Sequence, residues 1–119
     1  MRKFKDLAIW QRSMKLVKLI YEESRQLPNS EKYGLTAQIR KSAISIPSNI
    51  AEGCSRSSNK ELIRFLEISL GSAFELETQL LIGVDTEMLT NQNVQKMISE
   101  LNEIQRMISA YRSSIKYDK

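Results

Sequence analysis

Apolar residues in this chain recur every three or four positions through four separate stretches, and no stretch alternates with the period of two that marks a half-buried strand. Leu7, Trp10, Met14, Val17 and Tyr21 set the first stripe, and Leu35, Ile39, Ala43, Ile46 and Ile50 set the second. Leu62, Leu66, Ser69, Ala73, Leu76 and Leu80 form the third. Ile63, Leu70, Phe74 and Leu81 widen it, so this helix is expected to pack on more than one neighbour. Val94, Met97, Leu101, Ile104, Ile108, Tyr111 and Ile115 form the fourth. Pro28-Asn29 separates the first two. Ser58-Asn59-Lys60-Glu61 has the form of a capping box, in which the Ser58 hydroxyl takes the Glu61 N–H and Glu61 reaches back. The fourth segment starts after Thr90 or Asn91. The pattern predicts helices over about 6–26, 30–54, 58–83 and 91–115 in a single domain, residues 1–119. Four helices of this length with short connections predict an all-α fold, an antiparallel up-down-up-down four-helix bundle. Four glycines and two prolines in 119 residues are too few for a turn-rich β fold.

Pro47 tests the second helix. A proline inside a helix removes one backbone donor and presses its ring on the carbonyl four residues back, here that of Ala43. Yet Ile39, Ala43, Ile46 and Ile50 keep their phase across it. So does a polar set: Gln38, Ser42, Ser45, Asn49, Glu52 and Arg56. The expectation is a continuous helix kinked at Pro47 and stopped by Gly53, with Ser42 or Ser45 satisfying part of the freed backbone. Ser and Asn are poor helix formers. Their concentration in one stripe points to a buried seam, within the subunit or between subunits. The other reading is a solvated face rich in serine. Ser72, Glu75 and Gln79 offer a facing seam on the third helix. The run Ser69-Leu70-Gly71-Ser72-Ala73 predicts close approach of a neighbouring helix, because a helix-interior glycine costs about 1 kcal/mol.

The chain has no histidine and one cysteine, Cys54. Ser-His and Cys-His nucleophile pairs, imidazole metal sites and the Glu-x-x-His pattern of di-iron bundles are therefore excluded, and zinc is left without its usual ligands. A lone cysteine fits a reducing compartment. Ser57-Ser58-Asn59-Lys60 matches the S-x-x-K nucleophile pattern, but the companion S-D-N and K-T-G strings are absent and capping explains Ser58 better. The run Gly53 to Ser58 could hold an anion, as any capped helix start could. No catalytic residue, cofactor or metal is expected. The string MRKFKDLAIWQR returns to charge too soon for a signal peptide, and no apolar run approaches a membrane span. A cytoplasmic protein without a membrane partner is expected.

The formal net charge of +4 is unevenly spread. Residues 1–64 hold 13 Lys/Arg against 6 Asp/Glu, whereas residues 65–119 hold 5 against 8. A basic half suits a polyanion, or an acidic patch on another copy. Arg56, Lys60 and Arg64, at steps of four, are expected along one side of the third helix's start. Arg40 and Lys41 add charge from the second helix, and Arg12, Lys15 and Lys18 from the first. Such side chains could neutralise phosphates without reading sequence. The plain alternative is a solvated face with local ion pairs.

Together these residues resemble the 23S rRNA intervening-sequence protein family. The likeness is carried by Phe4-Lys5-Asp6-Leu7, Trp10-Gln11, Gly34-Leu35-Thr36, Gln38 and Arg40, and most specifically by Ser45-Ile46-Pro47-Ser48-Asn49-Ile50-Ala51-Glu52-Gly53. Phe65-Leu66 and Gly71-Ser72-Ala73-Phe74-Glu75-Leu76-Glu77 complete it, and beyond Leu80 only helical character matches. The resemblance implies a bacterial left-handed four-helix bundle assembled as a ring-like homopentamer. It also implies similarity to the basic pentameric accessory proteins of diversity-generating retroelements, which engage a reverse transcriptase and nucleic acid. Two readings follow. The first is a non-enzymatic homo-oligomer that associates through the seams of helices two and three and binds RNA or other nucleic acid through its basic surface. The second is a protein-interaction scaffold, in which the basic face meets the acidic face of another copy or of a partner protein, without nucleic acid.

Overall fold

The structure, a computed structural model, describes residues 2–117. Among them are four α-helices and no strand: α1 (Ala8–Glu23), α2 (Leu35–Cys54), α3 (Asn59–Asp85) and α4 (Asn91–Ser114). Single 3-10 turns lie at Phe4–Asp6, Ser24–Gln26 and Asn29–Glu31. α2 packs on α1 and α3, and α4 on the other sides of the same two. The shared core includes Leu16, Ile20, Ile39, Ile46, Ile50, Leu66, Leu76, Leu80, Leu101 and Ile104. The molecule measures 50 × 24 × 21 Å, its long axis exceeding the roughly 40 Å that α3 spans at 1.5 Å per residue.

The helix limits differ from the sequence expectation where side chains replace backbone signals. α1 is shorter at both ends because Leu7 is extended and the last turn tightens to 3-10 at Ser24. α2 starts at Leu35 rather than near Ser30. Residues 32–34 form a turn, and the Glu31 carboxylate accepts the Leu35 N–H at 3.0 Å, supplying the cap that Gly34 lacks. α3 is capped as the sequence suggests: Ser58 Oγ accepts from the Glu61 N–H at 3.2 Å. Its hydroxyl meets the Glu61 carboxylate at 3.5 Å. Thr90 caps α4 through the Asn93 N–H at 3.3 Å.

α2 ends at Cys54 as expected, but Gly53 is not the stop expected of it. α3 runs past Gly83 to Asp85, and the chain turns at Glu87, whose φ is 61°. A side chain at Gly83 would come within 2.6 Å of Leu89 Cδ1, so this glycine admits Leu89 to the core. α2 continues through Gly53 to Cys54 with no left-handed glycine at its end. A Cβ at Gly53 would lie 2.9 Å from Phe65 Cβ and 3.1 Å from Leu62 Cδ1. Gly53 lets α3 pass against α2.

α2 is unbroken through Pro47. Ser42 and Ser45 do not repair its backbone, as the sequence had suggested; their hydroxyls bond to α3. The first apolar stripe is also displaced. The buried line of α1 is Ile9, Ser13, Leu16 and Ile20, continuing to Ser24 and Leu27, while Met14 is 45% exposed. Ser13 can sit in this line because its hydroxyl donates to the Ile9 carbonyl at 2.6 Å, so no polar group is stranded. In the second apolar set of α3, Ile63 is buried but Phe74 and Leu81 are exposed.

Candidate nucleic-acid interface

The polar seam closes inside the chain. Ser42 Oγ donates to Glu75 at 2.8 Å, and Ser45 and Ser72 share a hydrogen bond at 2.7 Å. Asn49 folds back on α2, donating to the Ser45 carbonyl at 2.8 Å and to Ser45 Oγ at 2.9 Å. Buried Ser69 donates to the Ile46 carbonyl at 2.8 Å. Gln38 and Glu52 stay exposed, and Gln79 keeps a buried Oε1 with no partner among the described residues. Short polar side chains thus hold α2 and α3 close while satisfying one another.

Gly71 departs from its expected role. Nothing lies within 4 Å of a Cβ placed there. It faces outward on α3 among Ile68, Phe74, Leu81 and Ile82, all exposed apolar side chains.

The basic residues expected to form one surface fall into separate groups. Arg12 reaches from α1 to α4, pairing with Glu100 at 2.8 Å, and this hydrogen bond and charge hold its guanidinium above the usual arginine range. Arg56 lies on the corner before α3, not in line with Lys60 and Arg64 on that helix. It pairs with Glu52 at 3.1 Å and stacks 4.8 Å from the Phe65 ring centre. Lys60 and Arg64 are exposed near this end of α2, and Lys15 and Lys18 are exposed on α1. Arg40 and Lys41 lie near the opposite end of α2, about 20 Å away by helical rise.

Arg40 and Lys41 line a groove of about 520 Å³ with Lys32, Tyr21, Tyr33 and Ile44. The Arg40 guanidinium sits 4.6 Å from the Tyr21 ring centre, and its Nε donates to Ser24 Oγ at 3.0 Å. Lys32 Nζ is 5.4 Å from the Tyr33 ring centre. Arg12, Arg56, Arg106 and Arg112 hold the ion pairs among the described residues; Lys32, Arg40 and Lys41 hold none, nor do Lys15, Lys18, Lys60 and Arg64, but only the first three line a common groove. The sequence pattern missed Lys32, Tyr21 and Tyr33 as groove residues. The one signal for Tyr33 was that it belongs to no apolar stripe, standing between Lys32 and Gly34.

Elsewhere, polar groups are committed to packing. Glu77 on α3 accepts from Asn102 at 3.2 Å and Gln105 at 2.9 Å, both on α4. Burial pushes the Cys54 thiol above its ordinary range, opposed by the charge of Arg2, and burial likewise raises the Tyr111 phenol. A thiol held protonated is a poor nucleophile. Among the described residues, no cluster of three or more His, Cys, Asp or Glu could hold a metal, and no helix is long and apolar enough to cross a membrane.

Comparison with known proteins places this geometry. The family model described as 23S rRNA-intervening sequence protein matches residues 5–110. A similar solved structure is that of a protein of unknown function from the S23 ribosomal protein family of Bacteroides thetaiotaomicron VPI-5482. It is 24% identical, covers 88% of this chain and 98% of its own, and superposes with a TM-score of 0.82. At that identity the likeness is one of fold. No curated protein matches the chain.

Proposed function

We propose, from the premise that this chain belongs to the 23S rRNA-intervening sequence protein family, that it is a non-enzymatic, cytoplasmic RNA-binding protein that works as a homo-oligomer. Its helices form an antiparallel up-down-up-down bundle bent at Pro47, and the oligomer is the pentamer that the resemblance implies. The observation that carries the binding reading is the convergence of unpaired cations on one aromatic-lined groove. Arg12 and Arg112 are paired across helices with Glu100 and Glu67. Lys32, Arg40 and Lys41 converge on one groove without an ion pair. An unneutralised cationic cluster attracts a polyanion through counterion release.

The seam residues of α2 and α3 support cohesion within a chain, so self-association falls to another face. Ile68, Phe74, Leu81 and Ile82 leave an apolar outer side on α3, with Gly71 giving room for close approach. Exposed apolar patches of this kind mark association surfaces. Protein purified at low salt is expected to carry RNA, raising its absorbance at 260 nm relative to 280 nm, and to lose it in a high-salt wash. Native mass measurement is expected to give a multiple of the chain mass. RNA-free protein at low salt removes the binding reading, and a monomer removes the assembly reading.

A further inference from the structure

We propose that the groove between α1 and the start of α2 is a stacking site for an unpaired RNA base, with Tyr33 and the Arg40–Tyr21 pair as its stacking surfaces. This rests on the nucleic-acid reading above and narrows it from any polyanion to single-stranded RNA.

Tyr33 is 87% exposed, the most exposed large hydrophobic side chain among the described residues. It stands in the turn between Asn29–Glu31 and α2, where the fold gives it no packing duty. Across the groove, Arg40 lies over Tyr21 and is fixed by its bond to Ser24. A guanidinium stacked on one aromatic face leaves its other face for a base, which is how arginine planes commonly serve in RNA recognition. Ala37 and Ile44 supply an apolar lining suited to a base, and Lys32 and Lys41 supply charge at the rim suited to its phosphates. The combination of aromatic faces with a cationic track is the recurring design of single-strand sites.

The alternatives lack one half of this arrangement. An acidic peptide would meet the cations but gain little from an exposed ring. In a duplex the base faces are already stacked on one another, so only phosphates would be engaged. The aromatic component therefore selects unpaired nucleotides.

The test is fluorescence anisotropy at low salt with two labelled probes, a single-stranded RNA of about ten nucleotides, within the usual site size, and a duplex of the same length. Three proteins are compared: the native chain, Tyr33→Ala and Tyr33→Phe. The native chain is expected to favour the single strand. Tyr33→Ala is expected to weaken that binding about fivefold or more, as loss of one stacked base does, with little change on the duplex. Tyr33→Phe, which keeps the ring, is expected to bind like the native chain. Equal single-strand binding by Tyr33→Ala overturns the stacking site while leaving the charge-based reading standing. Preference for the duplex does the same. A change in oligomeric mass on Tyr33→Ala assigns the groove to a second copy and overturns the site. Absence of binding to either probe removes both readings at once.

Discussion

Ser69 on α3 donates its hydroxyl to the carbonyl of Ile46 on α2 at 2.8 Å, one residue before Pro47. The bond ties the two most closely packed helices together where the proline interrupts the backbone ladder of α2. Both residues are fully buried. Ser69→Ala is expected to cost about 1 kcal/mol, the net worth of one hydrogen bond. Ser69→Val is expected to cost more, about 1–3 kcal/mol, through overpacking. Urea denaturation with unchanged m-values checks both.

Two glycines predict opposite outcomes from the same substitution. At Gly53 an added methyl would sit 2.9 Å from Phe65 Cβ, an atom tied to the α3 backbone. Gly53→Ala is expected to destabilise by about 1–3 kcal/mol, outweighing its helix-propensity gain. At Gly71 the space is open, and Gly71→Ala is expected to stabilise the subunit by about 0.5–1 kcal/mol. If a second copy packs on α3 there, the same change loosens the oligomer. Thermal melts and native mass, read side by side, separate the two effects.

Stability is expected to fall in alkali. Burial raises both the Cys54 thiol and the Tyr111 phenol, so the folded state holds these protons more tightly than the unfolded chain. At neutral pH both groups are protonated in either state and the full contribution is present. As pH climbs past about 9, the unfolded chain sheds the protons first and the contribution is lost. The denaturation midpoint is therefore expected to start dropping as pH passes about 9, where the unfolded thiol titrates, and to go on dropping above about 10, where the unfolded phenol does. Cys54→Ala is expected to flatten the thiol's share of that slope.

The helices were legible because apolar period decides burial over long segments, as in α3 and α4. The α1 stripe was misplaced by one residue, because Ser13, polar in sequence, satisfies itself on the Ile9 carbonyl and enters the core. α2 ends at Cys54 as expected, but Gly53 was misread as its stop and the end of α3 was placed two residues short; Gly53 and Gly83 instead make room for Phe65 and Leu89, a tertiary role that sequence spacing does not carry. The start of α2 depends on the Glu31 side chain, which no propensity marks as a cap. The site was half legible. Arg40 and Lys41 stood out by charge, but whether a cation is free depends on distant carboxylates. Arg12 finds Glu100, 88 residues on. Tyr21 and Tyr33 join the groove only through the fold.

The central claim is that the charges of Lys32, Arg40 and Lys41 draw RNA into the groove, the two lysines at its phosphates and Arg40 beside a stacked base. Its direct test is the affinity for single-stranded RNA measured across a salt series. Binding is expected to weaken linearly in log salt, with a slope shallower by about 1.4 when Lys32 and Lys41 become Ala and by up to about 2 when Arg40 is replaced as well, at about 0.7 for each phosphate charge no longer neutralised. Lys60→Ala with Arg64→Ala, near the far end of α2, is expected to leave the slope unchanged. No binding at low salt contradicts the account, and so does a slope set by Lys60 and Arg64 but indifferent to the groove.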